Sequence, residues 1–305
     1  MPTTYCSVII VVGRHIASIR NVPAQKLRPP AILVCMAAVQ PRSFLVTGAG
    51  RGIGRGLTRL LLQKGHKVFL IDSNKTELDH IALRLGEQHN SDNKFEHTTC
   101  NVRVPEQIHA VISKARTFFE GHLACLINNA AYTGGVGGQH LAELTLEEWN
   151  KSIETNLTGP MLMSQACLPL LQKSTTRQQG GCIINMSSTR AFMSELNNEA
   201  YSTTKAGLLG LSQAMAVSLA PQGIRVNAIL PGWINVANEC KAADESGAAW
   251  EDGLSSSDHE WHLTGRVGKV EDVLRAVEYL VESDFVTGSE VVIDGGVTRK
   301  MVYPE

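Results

Sequence analysis

Short apolar runs recur along this chain, separated by longer stretches in which apolar residues return every three or four positions. Runs of strand length fall at 43–47, 67–71, 95–100, 123–127, 181–187, 224–229 and 289–293. Some, such as Leu123-Ala124-Cys125-Leu126-Ile127, show no alternation of apolar and polar residues, as expected for a strand covered on both faces. The stretches at 53–64, 75–88, 105–119, 147–172, 201–219 and 271–282 have helical spacing, with Leu57, Leu60, Leu61 and Leu62 as one stripe. Strand and helix alternate from 42 to 305 without an internal repeat. The pattern predicts an α/β fold: one doubly wound, three-layer domain with a mainly parallel seven-stranded sheet and right-handed crossovers.

The first strand runs straight into Gly48-Ala49-Gly50-Arg51-Gly52-Ile53-Gly54, and a helix follows. Strand, glycine turn and helix form the setting in which a backbone approaches a dinucleotide pyrophosphate at a helix N-terminus. The second strand ends at Asp72, 24 residues past Gly48, where a carboxylate can accept hydrogen bonds from the adenosine ribose. The same carboxylate repels a 2′-phosphate, so NAD(H) is expected ahead of NADP(H). Arg51 pulls the other way as a cation able to pair with that phosphate, and otherwise reads as a solvated loop charge.

Tyr201 and Lys205 stand four apart, on one face of a predicted helix. An ammonium beside a phenol favours the phenolate, so Lys205 is expected to draw the Tyr201 pKa down from about 10. Thirteen residues before Tyr201, the run Ile183-Ile184-Asn185-Met186-Ser187-Ser188 ends a buried strand in hydroxyls. Successive strand residues face opposite ways, so one of Ser187 and Ser188 can meet a substrate oxygen.

Taken together these features resemble the short-chain dehydrogenase/reductase family over residues 42–296. Thr47 through Gly54 match its cofactor loop. Asn128-Asn129-Ala130-Ala131 is similar to its Asn-Asn-Ala-Gly segment, with Ala131 in place of glycine. Glu154-Thr155-Asn156-Leu157, Pro231-Gly232 and Val292-Ile293-Asp294-Gly295-Gly296 match later motifs, and Asn101-Val102 stands where the family has Asp-Val against adenine. The resemblance implies a Rossmann-type fold and hydride transfer between a nicotinamide and a carbonyl or secondary alcohol. It implies that Ser188 polarises the substrate oxygen and Tyr201 exchanges a proton with it. Lys205 would tune Tyr201 and hold the nicotinamide ribose, and Asn156 would order a relay water. Thr47, Gly48, Gly50, Arg51, Gly52, Ile53, Gly54, Asp72, Asn101, Val102, Asn129, Ala130, Pro231 and Gly232 would surround the cofactor, with Tyr201 and Lys205. It also implies a homo-oligomer, dimer or tetramer, assembled through helices 147–172 and 201–219, where Gly159, Ala166, Ala206, Gly207 and Gly210 would permit close packing between or within subunits.

Substrate selection is expected from Thr189–Leu196 and from a mobile lid at 233–268 bearing Trp233, Trp250, Trp261 and His262. There Arg190, Glu195 and His262 read either as ligand contacts or as surface and packing residues. The substrate stays open among 3-oxoacyl thioesters, sugars and small ketones. Two other readings remain: an NAD-binding sensor or scaffold without turnover, and a lyase or epimerase on the same fold.

Net charge is −1, which offers nothing to nucleic acid or an anionic membrane. Seven cysteines lie scattered, without a Cys-x-x-Cys or a histidine cluster, which argues for reduced thiols and against a metal site. Residues 1–41 hold no Asp or Glu but carry Arg14, Arg20, Lys26 and Arg28. Their apolar run, Val8–Val12, is too short for a bilayer. They read as a mitochondrial leader or, preferably, as sequence upstream of a start at Met36, giving a cytoplasmic enzyme.

Overall fold

The computed structural model describes residues 11–12, 15–16, 40–89, 93–175 and 177–301. The chain divides into two units, Met1–Ala38 and Val39–Glu305. In the first, β1 (Val11–Val12) pairs antiparallel with β2 (His15–Ile16). The remainder of the leader lies outside the described residues.

The second unit alternates as its apolar pattern requires. Its elements are β3 (Ser43–Thr47), α1 (Gly52–Gln63), β4 (Lys67–Asp72), α2 (Lys75–His89), β5 (Phe95–Thr99), α3 (Pro105–Phe118), β6 (Cys125–Asn128), α4 (Leu146–Ile153), α5 (Gly159–Leu171), β7 (Cys182–Met186), α6 (Glu199–Leu219), β8 (Arg225–Pro231), α7 (Lys241–Ser246), α8 (Ser256–Glu260), α9 (Val270–Glu282) and β9 (Glu290–Ile293). The sheet order is β5-β4-β3-β6-β7-β8-β9, every neighbouring pair parallel. The chain moves outward from β3 to β5, then returns to place β6 on the other side of β3. That reversal opens a crevice at the carboxyl ends of β3 and β6.

The unalternating strands have a direct cause. Phe44 and Val46 pack into one apolar layer with Leu57 and Leu61 of α1 and Val273 and Val277 of α9. Leu45 between them points into the other layer, with Ile108 and Val111 of α3 and Met163 and Cys167 of α5. Each such side chain, fully buried, contributes about 1.5–3 kcal/mol. Cys125 and Cys182 are buried register partners on β6 and β7, and both are free thiols.

The stretch expected as one helix at 147–172 is broken. Between α4 and α5, Glu154–Thr158 forms a π turn in which the Gly159 amide reaches back to the Glu154 carbonyl. Pro160 has no N–H, so it cannot donate to the Asn156 carbonyl as an α-helix would require. Two of the small residues considered for subunit packing are used within the chain: a Cβ on Gly159 would meet Val102 at 2.9 Å, and one on Gly207 would meet Leu157 at 3.1 Å. Among the described residues no helix is long and apolar enough to cross a membrane.

Candidate active site

Backbone and side-chain hydrogen bonds splice the loops that follow β3 and β6. The Thr47 hydroxyl accepts from the amides of Asn129 and Ala130, both at 2.9 Å. The Asn129 side-chain amide donates to the carbonyls of Thr47 and Gly48 at 3.0 and 3.1 Å. Two glycines make this approach possible. Gly48 adopts φ +65°, and a Cβ on Gly54 would lie 2.1 Å from the Gly48 carbonyl oxygen. Beside them the Asp72 carboxylate accepts from the amides of Gly50 at 2.9 Å and Asn74 at 2.8 Å, which fixes its position at the end of β4.

A cavity of about 960 Å³ opens over these strand ends. Fourteen of the expected residues line it: Gly48, Arg51, Gly52, Ile53, Asp72, Asn101, Val102, Asn129, Ala130, Ser188, Tyr201, Lys205, Pro231 and Gly232. Thr47, Gly50, Gly54 and Asn156 stand behind the wall and shape it. The N-terminus of α1, glycine at the points of closest approach, and a fixed carboxylate 24 residues on suit a dinucleotide, with the pyrophosphate at the helix and the ribose hydroxyls at Asp72.

Tyr201 and Lys205 occupy the first two turns of α6 and meet the end of β7. The buried Lys205 ammonium donates to the Met186 carbonyl at 2.8 Å, and its Nζ lies 5.3 Å from the centre of the Tyr201 ring. Just past the end of β7, Ser187 and Ser188 both line the cavity, but their hydroxyls meet different partners. The Ser187 hydroxyl is buried and donates to the Lys205 carbonyl at 2.7 Å, tying α6 to β7. The Ser188 side chain lines the cavity beside Tyr201, and its hydroxyl accepts from the Arg190 amide at 3.2 Å.

One expectation is corrected here. Tyr201 titrates above the ordinary tyrosine value, not below it. Burial is the larger influence, while the neighbouring Ser188 hydroxyl and the Arg190 charge oppose it. Lys205 does not lower the phenol because burial destabilises its own charge, bringing its pKa down to about 8.

Asn156 is fully buried in the π turn. Its oxygen accepts from the Tyr132 amide at 2.6 Å, and its NH₂ donates to the Tyr132 carbonyl at 3.1 Å and to Thr204 at 3.2 Å. Thr204 in turn donates to the Tyr201 carbonyl at 2.7 Å. Asn156 thus braces the first turn of α6, the turn that carries Tyr201. The Asn101 oxygen accepts from the Arg103 amide at 3.1 Å, so part of its capacity is spent on its own loop.

Sequence reasoning missed one part of the wall and held another only within the lid at 233–268. Tyr132, Thr133, Lys151 and Thr155 form one side; Tyr132 follows the Asn-Asn-Ala-Ala motif and Thr155 adjoins Asn156, so proximity to motifs was a usable signal. Val236, Ala237, Glu239 and Cys240 form the other, and no motif marks them. The segment expected as a lid also contains the short helices α7 and α8. Its base is closed by a bridge between Ile234 and Gly268. His262 is buried away from the cavity lining, its Nδ1 3.0 Å from the Asp258 carbonyl and its ring 6.0 Å from Trp233, which makes it a packing residue of that segment.

Comparison with known proteins agrees with this geometry. The family model described as enoyl-(acyl carrier protein) reductase matches residues 48–298. An uncharacterized oxidoreductase of Thermotoga maritima is 35% identical over 266 residues, covering 86% of this chain and 97% of the relative. The 3-oxoacyl-[acyl-carrier-protein] reductase FabG of the same organism is 32% identical over 255 residues, covering 83% and 96%. Among solved structures, the apo SCOR enzyme from Clostridium thermocellum superposes with a TM-score of 0.71 at 30% identity, covering 86% of this chain and 95% of that one.

Proposed function

This chain belongs to the short-chain dehydrogenase/reductase family of NAD(P)-dependent oxidoreductases, and on that premise we propose that it reduces a carbonyl flanked by apolar groups, with NADH as the donor. The observation that carries the reading is that Ser188 and Tyr201 line one cavity with the buried Lys205 and the glycine loop. Bound nicotinamide supplies the hydride; the chain's own groups handle the oxygen and its proton.

Ser188 donates to the carbonyl oxygen and holds it in reach of Tyr201. With its pKa raised, the Tyr201 hydroxyl keeps its proton at neutral pH, which suits donation to the developing alkoxide. Lys205, brought down to about 8, can give up a proton near neutrality and so replenish Tyr201. Asn156 acts through Thr204 and the first turn of α6 as a positioning residue. Asp72 supports NAD(H) over NADP(H), because its fixed carboxylate offers acceptors to ribose hydroxyls and repels a phosphate.

The rim supports a substrate with apolar flanks, a 3-oxoacyl chain or a small ketone, ahead of a sugar. Arg190 and Glu195 pair with each other at 2.8 Å, so neither charge is left for a polar ligand. Phe192, Met193, Leu196 and Trp233 remain exposed on the loops after β7 and β8, which are adjacent strands. The outward-facing Ala206 and Gly210 on α6 support assembly with further copies of the chain.

The test follows NADH and NADPH absorbance over a panel of ketones, sugars and 3-oxoacyl thioesters, with Tyr201→Phe beside the native protein. The expected result is turnover with NADH that falls at least about a hundredfold in the variant while NADH binding persists. Tyr201→Phe retaining most of the native turnover would refute the assignment.

A further inference from the structure

The segment from Val236 to Ser246 is fastened to the dinucleotide side of the molecule by charged groups taken out of water. The Glu239 carbonyl accepts from the Gly52 amide at 2.7 Å, in the first turn of α1. Its carboxylate meets Arg59 at 2.5 Å and Arg55 at 3.6 Å. Arg55 also pairs with Asp244 of α7, whose carboxylate receives His80 of α2 at 2.8 Å. Glu77 of α2 accepts from the Lys241 amide at 2.8 Å and so caps α7. Arg55 and Glu239 are 4% and 5% exposed. Gly56 leaves room for this contact, since a Cβ there would stand 3.1 Å from the Glu239 carboxylate.

The same segment forms cavity wall. Val236, Ala237, Glu239 and Cys240 line it, and Val236 comes within 3.8 Å of the position a Cβ on Gly52 would take. It therefore lies across the N-terminal turn of α1, where the geometry puts a pyrophosphate. The part of the lid beyond Gly247, which is left-handed at φ +70°, has a different anchorage. Besides its internal Ser255–Asp258 capping box, it is held by the Trp250 carbonyl's bond from Asn235 at 2.7 Å, by Arg266 on Asp272 of α9 at 2.7 Å and by the Thr264 amide on the Gly295 carbonyl at 3.3 Å.

We propose that residues 236–246 are a strap over the dinucleotide, closed by the Arg55–Glu239 and Arg55–Asp244–His80 clasp, and that opening this clasp sets the rate at which NADH leaves. The expected lid thereby splits into a strap that governs cofactor residence and an outer flap, 247–268, with no residue in the cavity wall. Glu239 and Asp244 are positioning residues: they touch α1 and α2, and through them hold the wall in place. Removing one charge of a buried pair leaves the other uncompensated, so the clasp opens more often and dissociation quickens. The proposal rests on the reading of the cavity as a dinucleotide site.

Stopped-flow displacement of NADH from Glu239→Gln and Asp244→Asn, followed by fluorescence, tests it. Dissociation at least about tenfold faster than native is expected, with Kd rising in step and KM for the carbonyl within about twofold. Hydrogen exchange in the native protein supplies a readout that does not depend on the variants folding: amides 236–246 should exchange as slowly as those of α1, and amides 247–262 faster. Unchanged NADH dissociation in folded variants, or strap exchange as fast as the flap's, overturns the proposal. A native protein that fails to quench or enhance NADH fluorescence overturns instead the dinucleotide reading beneath it.

Discussion

The floor and the rim of the cavity are built on opposite terms. On the floor, polar groups are buried and matched: Lys205 to the Met186 carbonyl, Ser187 to the Lys205 carbonyl, Asn156 to Tyr132 and Thr204, Asn129 to the glycine loop. At the rim, on the loops that leave the cavity wall at Ser188 and Gly232, apolar groups outside the wall itself stand in solvent: Leu196 is 88% exposed, Phe192 54% and Trp233 45%. Both arrangements cost stability, the first by stripping water from polar groups and the second by leaving apolar surface wet. The difference teaches how the labour is divided. Under the proposed function, chemistry falls to groups that constrain one another, and selection to side chains held by little besides their own loop.

Lys205 offers the largest test of that contrast. Its pKa falls to about 8 in the folded protein, whereas an unfolded lysine titrates near ~10.4. Between those values the unfolded chain binds a proton that the folded one lacks, so stability rises with pH through the window. Below pH 8 both states bind it and the penalty is complete. Lys205→Met removes the penalty, at most about 3 kcal/mol, less about 1 kcal/mol for the donor that Met186 loses. Urea unfolding should find the variant more stable than native at pH 7, with the gap closing towards pH 9.5, while its turnover is lost. A gap that does not change with pH would show that this lysine is not desolvated as the floor requires.

The glycine loop sharpens the same comparison with a smaller effect. An Ala at Gly54 sets a methyl 2.1 Å from the Gly48 oxygen and 2.5 Å from the Asn129 amide, and backbone cannot step aside as a flexible side chain can. Overpacking of this kind costs about 1–3 kcal/mol. Melting temperature should fall by several degrees, and NADH Kd should rise at least about tenfold, equivalent to about 1.4 kcal/mol. Gly86, exposed in α2 with nothing within 4 Å of a Cβ, is the control: Ala there should stabilise by up to about 1 kcal/mol. Calorimetry and NADH titration of the two variants decide the matter, and equal behaviour would break the distinction between a constrained floor and an ordinary helix surface.

What could be read from the chain beforehand follows the same line. The seven strands, the glycine loop and the Ser188, Tyr201 and Lys205 positions were legible because each rests on residue type at short spacing. The π turn was not, because Pro160 only withholds a donor and the turn's shape also depends on Tyr132 and Thr204. The direction of the Tyr201 pKa was read wrongly because spacing reveals a neighbouring charge but not the depth of burial. Nor was the clasp visible: Arg55 and Asp244 are 189 residues apart, and His80 and Asp244 are 164 apart. Groups so distant meet only through the packing of α1, α2 and α7.

The rim gives the smallest effect and the finest discrimination. Phe192 and Trp233 keep only part of their surface in contact with protein, so a substrate's apolar flank can cover the rest. Truncating either to Ala should remove roughly 1–2 kcal/mol of that contact, a loss of roughly 5- to 30-fold in kcat/KM for a bulky ketone. For a polar carbonyl of similar size the loss should be under about threefold, and NADH Kd should not move, since neither residue lines the dinucleotide end. Phe285 is equally large and 99% exposed, but it lies next to Val286, whose carbonyl receives Arg225 at the amino end of β8, the end of the sheet away from the cavity. Phe285→Ala should leave both substrates unaffected. Equal losses for polar and apolar carbonyls in the rim variants would mean that these rings position the loop for the floor beneath, and the division of labour between floor and rim would then fail at its boundary.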